Sequence, residues 1–245
     1  TLYCQELFLI SENLAQVKRC IIEAAKRAGR DPSGVRLLAV TKEQSDATVA
    51  KGIQAGMTLL GENKVQEASG KIEAFGRKNG LEWHFIGRLQ KNKVKFIFDL
   101  FDLIHSVDSL ALAEAIHKKA QKIGSCMPIL LQVNISGEKS KLGIDPLDLP
   151  REIRKFAKFE GVKISGLMTI PPFDRDPETS RPYYARLREL RDTCSSLNIP
   201  RICLDELSMG MSNDYEVAIE EGATLVRVGT GLFGPRPSLG KRTVG

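Results

Sequence analysis

The sequence predicts an α/β protein built as a single (β/α)8 barrel of the TIM type, with an extra N-terminal helix. Short runs rich in β-branched residues alternate with amphipathic helical stretches along the chain. Eight such runs occur, and eight strand-helix units in succession are typical of a closed parallel barrel. The length of 245 residues and the 42% hydrophobic content suit one large domain, so we expect residues 1–245 to form a single domain.

The predicted strands are the apolar runs of four to six residues. They lie at residues 37–41, 58–61, 83–86, 103–106, 129–134, 163–168, 203–208 and 225–229. Short β-branched runs that are separated by helical patterns favour a buried parallel sheet.

Helical patterns fill the intervals between these strands. They lie at residues 46–55, 64–75, 89–99, 109–123, 148–159, 181–195 and 214–221, and each opens at a capping or acidic residue or closes near a glycine. A further helix is predicted ahead of the first strand, from Ser11 to about Ala28. Only a short tail follows the eighth strand, so we expect this leading helix to cover the gap in the outer ring. A doubly wound open sheet is the alternative arrangement.

Composition excludes several classes of protein. The net charge is +6, but the basic residues are spread among acidic ones, so a nucleic-acid partner is not expected. No apolar stretch is long enough to span a membrane, and residues 1–10 lack the features of a secretion signal. The cysteines are odd in number and form no C-x-x-C pair, which favours a reducing cytoplasm and argues against disulfides or a zinc site.

Lys42 ends the first predicted strand and is the first candidate for chemistry. A lysine at the C-terminal tip of a buried barrel strand points toward the face where such barrels hold their active sites. Its amine can form an imine with an aldehyde. Many strands end in a solvated lysine, so this residue alone does not predict a function.

The loops after strands seven and eight have the composition of a phosphate site. Residues 208–214 and 226–234 combine glycines, which let backbone N–H groups approach an anion, with the hydroxyls of Ser212 and Thr230. The helix that starts near Asp214 turns its positive end toward the same place. In barrels these two loops are the usual phosphate site, although each alone is equally well explained as a glycine-rich turn.

Strand one neighbours strand eight in a closed barrel, so Lys42 and the two loops should face one pocket. An aldehyde that carries a phosphate would reach both. Pyridoxal 5′-phosphate (PLP) is such a molecule, and we expect it to be the cofactor.

Several motifs resemble one known family. They are LAVTK at 38–42, GEN at 61–63, WHFIGRLQKNK at 83–93, SVD at 106–108, GLMT at 166–169 and LSMGMSND at 207–214. With these motifs, the chain resembles the pyridoxal phosphate homeostasis proteins, small barrels related to the N-terminal domain of alanine racemase. The match runs from about Leu38 to Gly234.

The resemblance implies a role for each of several residues. Lys42 would carry PLP as an imine, while Ser212 and the backbone of Gly229 and Thr230 would hold its phosphate. Arg227 would lie beside the pyridine nitrogen.

Two further residues are expected to contact the cofactor. Asn63 lies at the tip of strand two, facing the pocket, and Met209 lies within the motif at 207–214. His84 lies in a strand-like run, where a packed, hydrogen-bonded histidine is favoured over a catalytic one.

Residues 43–45, Glu-Gln-Ser, depart from the family, whose members commonly show a basic or polar residue and then proline after the lysine. An acid beside Lys42 is expected to alter the rim of the pocket and the affinity for PLP.

The favoured function is a PLP-binding protein that buffers, stores or delivers PLP without substantial catalysis. Its expected partners are PLP and PLP-dependent apoenzymes, with no nucleic-acid or membrane partner, and we expect a monomer. An arginine stays protonated, so Arg227 would keep the ring nitrogen unprotonated and weaken carbanion chemistry. We therefore predict no catalytic residue and no metal ligand.

Two alternatives remain open at this stage. One is a PLP-dependent amino-acid racemase or a related enzyme. The racemase takes its second base, a tyrosine, from a C-terminal β domain of a partner subunit, and we expect no such domain in this chain. The other is a barrel that binds a different phosphorylated metabolite without an imine.

Overall fold

Eight parallel strands form a closed barrel in the part of the chain that the structure describes. The structure, a computed structural model, describes residues 2–77, 80–138 and 141–234. The strands are β1 (Arg36–Val40), β2 (Leu59–Glu62), β3 (Glu82–Phe85), β4 (Leu103–Val107), β5 (Met127–Gln132), β6 (Val162–Met168), β7 (Ile202–Met211) and β8 (Leu225–Val228).

Pairing between the first and last strands closes the barrel. Arg36 lies opposite Leu225, and Ala39 lies opposite Val228, in the parallel ladder between β1 and β8. This closure confirms the predicted (β/α)8 barrel and excludes the open sheet. Because all strands run in parallel, their C-terminal ends meet at one end of the barrel.

Strand β7 extends three residues beyond the predicted end at Ser208, to Met211. The register shifts in this part of the strand: Ser208 pairs with Leu225, whereas Met211 pairs with Arg227. Three steps on β7 therefore match two on β8, which is the geometry of a β-bulge. Gly210 lies inside the bulge with φ of +90°, a conformation that favours glycine.

Side chains alternate between the barrel lumen and the outer layer. One buried cluster consists of Leu38, Val40, Leu59, Leu103, Leu130, Met168 and Leu225. Because successive residues of a strand point to opposite faces, Arg227 shares the face of Leu225, and His105 shares that of Leu103. The lumen therefore holds buried polar side chains among aliphatic ones, while the large core lies between the strands and the helices.

Helices surround the barrel. They are α1 (Leu2–Arg27), α2 (Asp46–Gln54), α3 (Val65–Phe75), α4 (Ile97–Leu100), α5 (Leu110–Ile123), α6 (Leu149–Phe156), α7 (Arg181–Ser196), α8 (Tyr215–Glu220) and α9 (Thr230–Phe233). Of the helices within the described residues, none has the length and apolar character that crossing a bilayer requires.

The leading helix α1 begins at Leu2, nine residues before the predicted start at Ser11. Ser11 lies within the helix, where its hydroxyl donates to the carbonyl of Leu7 at 2.8 Å. Serine in mid-helix commonly bonds to the carbonyl four residues back, so the residue type alone does not mark a start.

Helix α1 covers the gap after β8, as predicted. The helix after β8, α9, has only four residues, and α1 packs against α8 and α9. Asn13 Nδ2 donates to the carbonyl of Leu232 at 3.0 Å. At the other end of α1, Arg27 forms ion pairs with Glu216 and Glu220 at 2.9 and 2.7 Å.

The helix predicted at 89–99 is largely a 3-10 helix. Residues Lys91–Phe96 form the 3-10 helix, and α4 follows it. Val94 and Ile97 are buried three residues apart. This spacing matches the three residues per turn of a 3-10 helix.

Candidate functional site

A cavity of roughly 410 Å³ lies at the C-terminal end of the barrel. Loops that follow β1, β2, β3, β6, β7 and β8 contribute to it. Six of the residues singled out from the sequence line this cavity: Lys42, Asn63, Ser212, Arg227, Gly229 and Thr230. The barrel thus brings together side chains that are up to 188 positions apart in the sequence.

Met209 is placed differently from the other six. It is fully buried in β7 and packs in the main core, whereas Met211 lines the cavity. The bulge at Gly210 shifts the register of β7 at this point. Strand alternation from the sequence does not anticipate such a shift, and Met211 was missed for that reason.

A second lysine, Lys71, holds the backbone beside Lys42. Its Nζ donates to the carbonyl of Thr41 at 2.6 Å and to Glu62 Oε1 at 2.8 Å. Thr41 Oγ1 donates to the same Glu62 oxygen at 2.6 Å. Burial raises the pKa of Glu62, and the hydrogen bonds from Lys71 and Thr41 offset only part of this effect.

The same cluster reaches the residue after Lys42. Glu67 Oε1 accepts from Lys71 Nζ at 2.7 Å and from the backbone N–H of Glu43 at 2.5 Å. Although burial opposes the ionisation of Glu67, these two hydrogen bonds lower its pKa. Lys71 and Glu67 therefore fix the chain on both sides of Lys42.

The segment 43–45, which departs from the family pattern, has a local structural role. Glu43 adopts φ of +63°, uncommon for a residue with a side chain. Ser45 caps α2, because its hydroxyl accepts from the backbone N–H of Thr48 at 3.2 Å.

The loops after β7 and β8 meet at the hydroxyl of Ser212. Ser212 Oγ accepts from the backbone N–H groups of Gly229 and Gly231 at 3.1 and 3.3 Å. Two backbone N–H groups thus converge on this hydroxyl, which keeps its own proton to donate at the part of the cavity that Ser212, Gly229 and Thr230 line. Gly231 was not singled out from the sequence; a Cβ there would lie 2.9 Å from Val228 Cγ1.

The side chain of Asp214 holds the loop after β7 in place through two hydrogen bonds. One carboxylate oxygen accepts from the backbone N–H of Met211 at 2.7 Å, and the other accepts from Ser180 Oγ at 2.8 Å. Asn213 Nδ2 also donates to the carbonyl of Asp174 at 3.0 Å. The loop is therefore held by side-chain contacts as well as by the bulge.

Arg227 lies at the base of the cavity and is only 4% exposed. It donates to Ser208 Oγ at 2.6 Å and to the carbonyl of Thr169 at 2.9 Å. Burial lowers its pKa, but an arginine that starts above 12 remains charged at neutral pH.

His84 is a packed, hydrogen-bonded histidine, as predicted. Its Nδ1 lies 2.9 Å from His105 Nε2, and His105 Nδ1 lies 2.8 Å from Ser208 Oγ. Burial lowers the pKa of both histidines, so both are neutral at pH 7. Sequence reasoning missed His105 and Ser208 as polar contacts of the lumen. The alternation of His105 with Leu103 along β4 would have indicated the first, whereas Ser208 reaches the lumen by pairing with Leu225 of β8, which no local pattern records.

Apolar side chains form much of the remaining wall of the cavity, and Asn63 is a polar residue within it. Ile86, Ile170 and Phe173 line it, and Phe173 is 79% exposed at its mouth. Asn63 Oδ1 is buried without a hydrogen-bond partner among the described residues. A buried acceptor of this kind points to a missing donor in the cavity.

A smaller cavity of roughly 270 Å³ lies at the opposite end of the barrel. It is lined mainly by residues at the N-terminal ends of strands, among them Arg36, Leu59 and Glu82. Catalytic and phosphate sites of barrels lie at the C-terminal end, so the larger cavity is the candidate site.

Comparisons with known proteins identify the family of the chain. The family model described as "Alanine racemase, N-terminal domain" matches residues 13–237. A pyridoxal phosphate homeostasis protein of Aquifex aeolicus is 45% identical over 225 residues, which are 92% of this chain and 97% of the relative. A protein of the same name from Pseudomonas aeruginosa is 44% identical over 227 residues, 93% of this chain and 96% of the relative.

A solved structure is also similar. The structure of PipY from Synechococcus elongatus PCC7942 with PLP bound has a TM-score of 0.79 and 38% sequence identity. The match covers 92% of this chain and all of PipY.

Proposed function

The chain belongs to the family of pyridoxal phosphate homeostasis proteins, and from this premise we propose that it binds PLP as an imine on Lys42 and acts in PLP homeostasis. The observation that carries the proposal is a single cavity that is lined both by Lys42 and by the loops that meet at Ser212 and Gly229. PLP carries its aldehyde and its phosphate-bearing methylene group on adjacent carbons of a flat ring, so one molecule can reach both a lysine after β1 and an anion site after the neighbouring strand β8.

The residues of the cavity fit this cofactor. Lys42 supplies the amine for the imine. The hydroxyl proton of Ser212 and the backbone N–H of Thr230 supply donors for the phosphate, and the N–H of Gly229 can turn to the phosphate from Ser212 Oγ. When bound, PLP supplies an electron-withdrawing ring and a reactive aldehyde. The apolar wall offers a surface for the ring.

Arg227 and Asn63 complete the set of proposed contacts. Arg227 lies at the base of the cavity, where its remaining N–H groups can donate to the ring nitrogen. The unpartnered oxygen of Asn63 can accept a hydrogen bond from the cofactor or from Lys42. The PLP-bound structure of PipY supports a cofactor of this kind in a protein 38% identical to this chain.

We propose that the protein buffers, stores or delivers PLP without substantial catalysis. A permanently charged Arg227 beside the ring nitrogen leaves that nitrogen unprotonated, which weakens the electron sink that carbanion chemistry needs. Racemisation also needs a second base facing the substrate. In the described part of the chain none of the four tyrosines, Tyr3, Tyr183, Tyr184 and Tyr215, lines the cavity.

The same proposal extends to the protein's state and partners. We propose a monomeric, single-domain cytoplasmic protein that gives PLP to PLP-dependent apoenzymes. The apolar mouth formed by Ile170 and the exposed Phe173 supports access of a partner to the cavity.

Two sets of variants test the two ends of the site separately. Lys42→Ala should bind PLP reversibly and more weakly, with the absorbance of the free aldehyde in place of that of the imine. The double variant Ser212→Ala with Thr230→Pro should lose preference for PLP over pyridoxal by at least roughly tenfold, because hydrogen bonds to a charged group are worth about 1.5–3 kcal/mol each.

Equilibrium dialysis against PLP and against pyridoxal measures both effects. Ser69→Ala, which removes an exposed hydroxyl on α3, is the control and should change neither affinity. Full retention of the preference for PLP in the double variant would contradict the placement of the phosphate. Turnover with common amino acids at about 1 s⁻¹ or faster, the low end of ordinary enzymes, would favour the racemase alternative.

A further inference from the structure

The environment of Arg227 is unusual for a buried cation. Among the described residues its guanidinium forms no ion pair: its two hydrogen bonds go to neutral acceptors, Ser208 and Thr169, and the carboxylate of Asp214 acts on it only through its charge, without a hydrogen bond. Buried charges are normally paired, because leaving water costs a cation several kcal/mol. Neutral groups can replace a carboxylate only if the negative ends of their dipoles point toward the cation.

A chain of polar side chains continues from Ser208 across the lumen. Ser208 Oγ is 2.8 Å from His105 Nδ1, and His105 Nε2 is 2.9 Å from His84 Nδ1. His84 Nε2 lies 3.6 Å from Glu82 Oε2 at the opposite end of the barrel. Arg227 is near the C-terminal end of β8, whereas Glu82 is the first residue of β3, so the chain connects the two ends.

The positions of the protons in this chain follow from the groups at its two ends, the guanidinium of Arg227 and the carboxylate of Glu82. A guanidinium only donates, so Ser208 Oγ accepts from Arg227 and has one proton left to donate, to His105 Nδ1. His105 is neutral and carries its proton on Nε2, from which it donates to His84 Nδ1. His84 then presents Nε2–H toward the carboxylate of Glu82. The reverse direction would leave a bare ring nitrogen facing that carboxylate and the serine proton without an acceptor.

We propose that Ser208, His105 and His84 are positioning residues for Arg227. They form a hydrogen-bonded chain in which every proton is donated in one fixed direction. This chain orients the guanidinium of Arg227 and leaves its other N–H groups facing the cavity. Every dipole in the chain points its negative end toward Arg227 and its positive end toward Glu82. The chain thus stabilises the unpaired cation and restricts its rotation. Its consequence for the cofactor's ring nitrogen rests on the proposed function.

The proton direction can be measured on the protein without cofactor. The protein sequence has three histidines, and the third, His117, is an internal reference for the tautomer. Its Nδ1 accepts from the backbone N–H of Gly161 at 2.9 Å, so its proton is on Nε2. In protein labelled with ¹⁵N-histidine, multiple-bond NMR correlations identify which ring nitrogen carries the proton. At pH 7.5 we expect the Nε2–H form for both His84 and His105. An Nδ1 proton on either ring would overturn the proposal.

The positioning role is tested with Ser208→Ala and a matched control. Ser106→Ala removes another buried strand hydroxyl, next to His105, that has no hydrogen-bond partner among the described residues. The ligands are PLP and its 1-deaza analogue, which has C–H in place of the ring nitrogen. Ser208→Ala should weaken PLP binding roughly tenfold, the loss of about one charge-assisted hydrogen bond, and leave binding of the analogue unchanged.

Each outcome of this comparison decides one question. Equal weakening of both ligands by Ser208→Ala, or an equal effect of Ser106→Ala, would overturn the positioning role. Failure of the unaltered protein to bind either aldehyde would instead contradict the proposed function. In that case, and also if Ser208→Ala does not fold, the histidine measurement on the unaltered protein still decides whether the chain has the proposed direction.

Discussion

At the scale of single residues, the position of Lys42 depends on a second lysine. Lys71 is buried and contacts Thr41, Glu62 and Glu67, so it links β1, β2 and α3 behind the cavity. A single cation thereby holds two carboxylates and the backbone carbonyl that precedes Lys42. The lysine proposed to carry the imine lies on a fixed segment of backbone, although it follows a strand end.

Replacing Lys71 by Met should destabilise the protein by about 3 kcal/mol. The change removes one partner of a buried ion pair and leaves Glu62 and the Thr41 carbonyl without their donor. Urea unfolding of the variant measures the loss. Lys64→Met, at an exposed position beside α3, should change the free energy of unfolding by less than about 0.5 kcal/mol. If the two variants lost equal stability, the buried cluster would have no special role.

The sequence predicts Lys42 but not Lys71, for a physical reason. A lysine at a strand tip is visible as the end of an apolar run. Lys71 lies on a helix four residues after Glu67, a spacing typical of exposed ion pairs. Only the packing of α3 on the barrel buries it, and no local pattern records that contact.

At the scale of elements, the bulge in β7 shapes the site. It places Met211 on the cavity wall and leaves Ser208 in the lumen, where it meets Arg227. Gly210 is required twice, since its φ is +90° and a Cβ would lie 2.5 Å from Ala218 Cβ.

Gly210→Ala should therefore cost about 3 kcal/mol of stability, from backbone strain together with crowding against α8. Gly56→Ala is the matched control, because Gly56 has φ of +97° but no atom within 4 Å of its added Cβ. The control isolates the strain and should cost about 1 kcal/mol. Thermal or urea unfolding compares the two variants, and equal losses would contradict the crowding at α8.

The sequence predicts the order and type of most elements because each strand run and each cap is a local signal. Prediction from the sequence fails where the same local pattern is compatible with two different structures. Ser11, the predicted start of α1, lies inside the helix and donates to the carbonyl of Leu7, and residues 91–96 wind with three residues per turn. The bulge at Gly210 was missed because glycine in a glycine-rich loop gives no sign of strand continuation.

At the scale of the whole molecule, the closed barrel explains why the sequence predicts one site from distant motifs. Closure makes β1 and β8 neighbours, which brings Lys42 close to the loop at Gly229. The polar chain across the lumen could not be predicted in the same way. It depends on which inward positions of β3, β4, β7 and β8 lie at one level, and that depends on register shifts between strands.

The two lumen histidines should make the stability of the protein depend on pH. Burial lowers the pKa of His84 and His105 from the ordinary 6.5, so below pH 6.5 the unfolded chain binds protons that the folded chain does not. Stability should fall as pH decreases from 7.5 to 5.5, by up to about 1.4 kcal/mol per pH unit for each histidine. Urea unfolding at several pH values measures this slope.

Carboxylates have effects that can be separated from this one. Those with lowered pKa, such as Glu67 and Glu82, lose their contribution only below their ordinary value of 4.5. Glu62 has a raised pKa, so it increases the stability of the folded protein as the pH falls. It is a single group, whereas the two histidines both decrease the stability. A free energy of unfolding that stays constant from pH 7.5 to 5.5 would contradict neutral histidines in the lumen.

The central claim is that Lys42 carries PLP, and one chemical measurement tests it most directly. Purified protein that has been loaded with PLP is reduced with borohydride, digested and mapped by mass spectrometry, with Lys42→Arg as the matched control. We predict one pyridoxyl phosphate group on the peptide that contains Lys42 and none on that peptide in the control. Labelling chiefly on another lysine, or no labelling at all, would contradict the account.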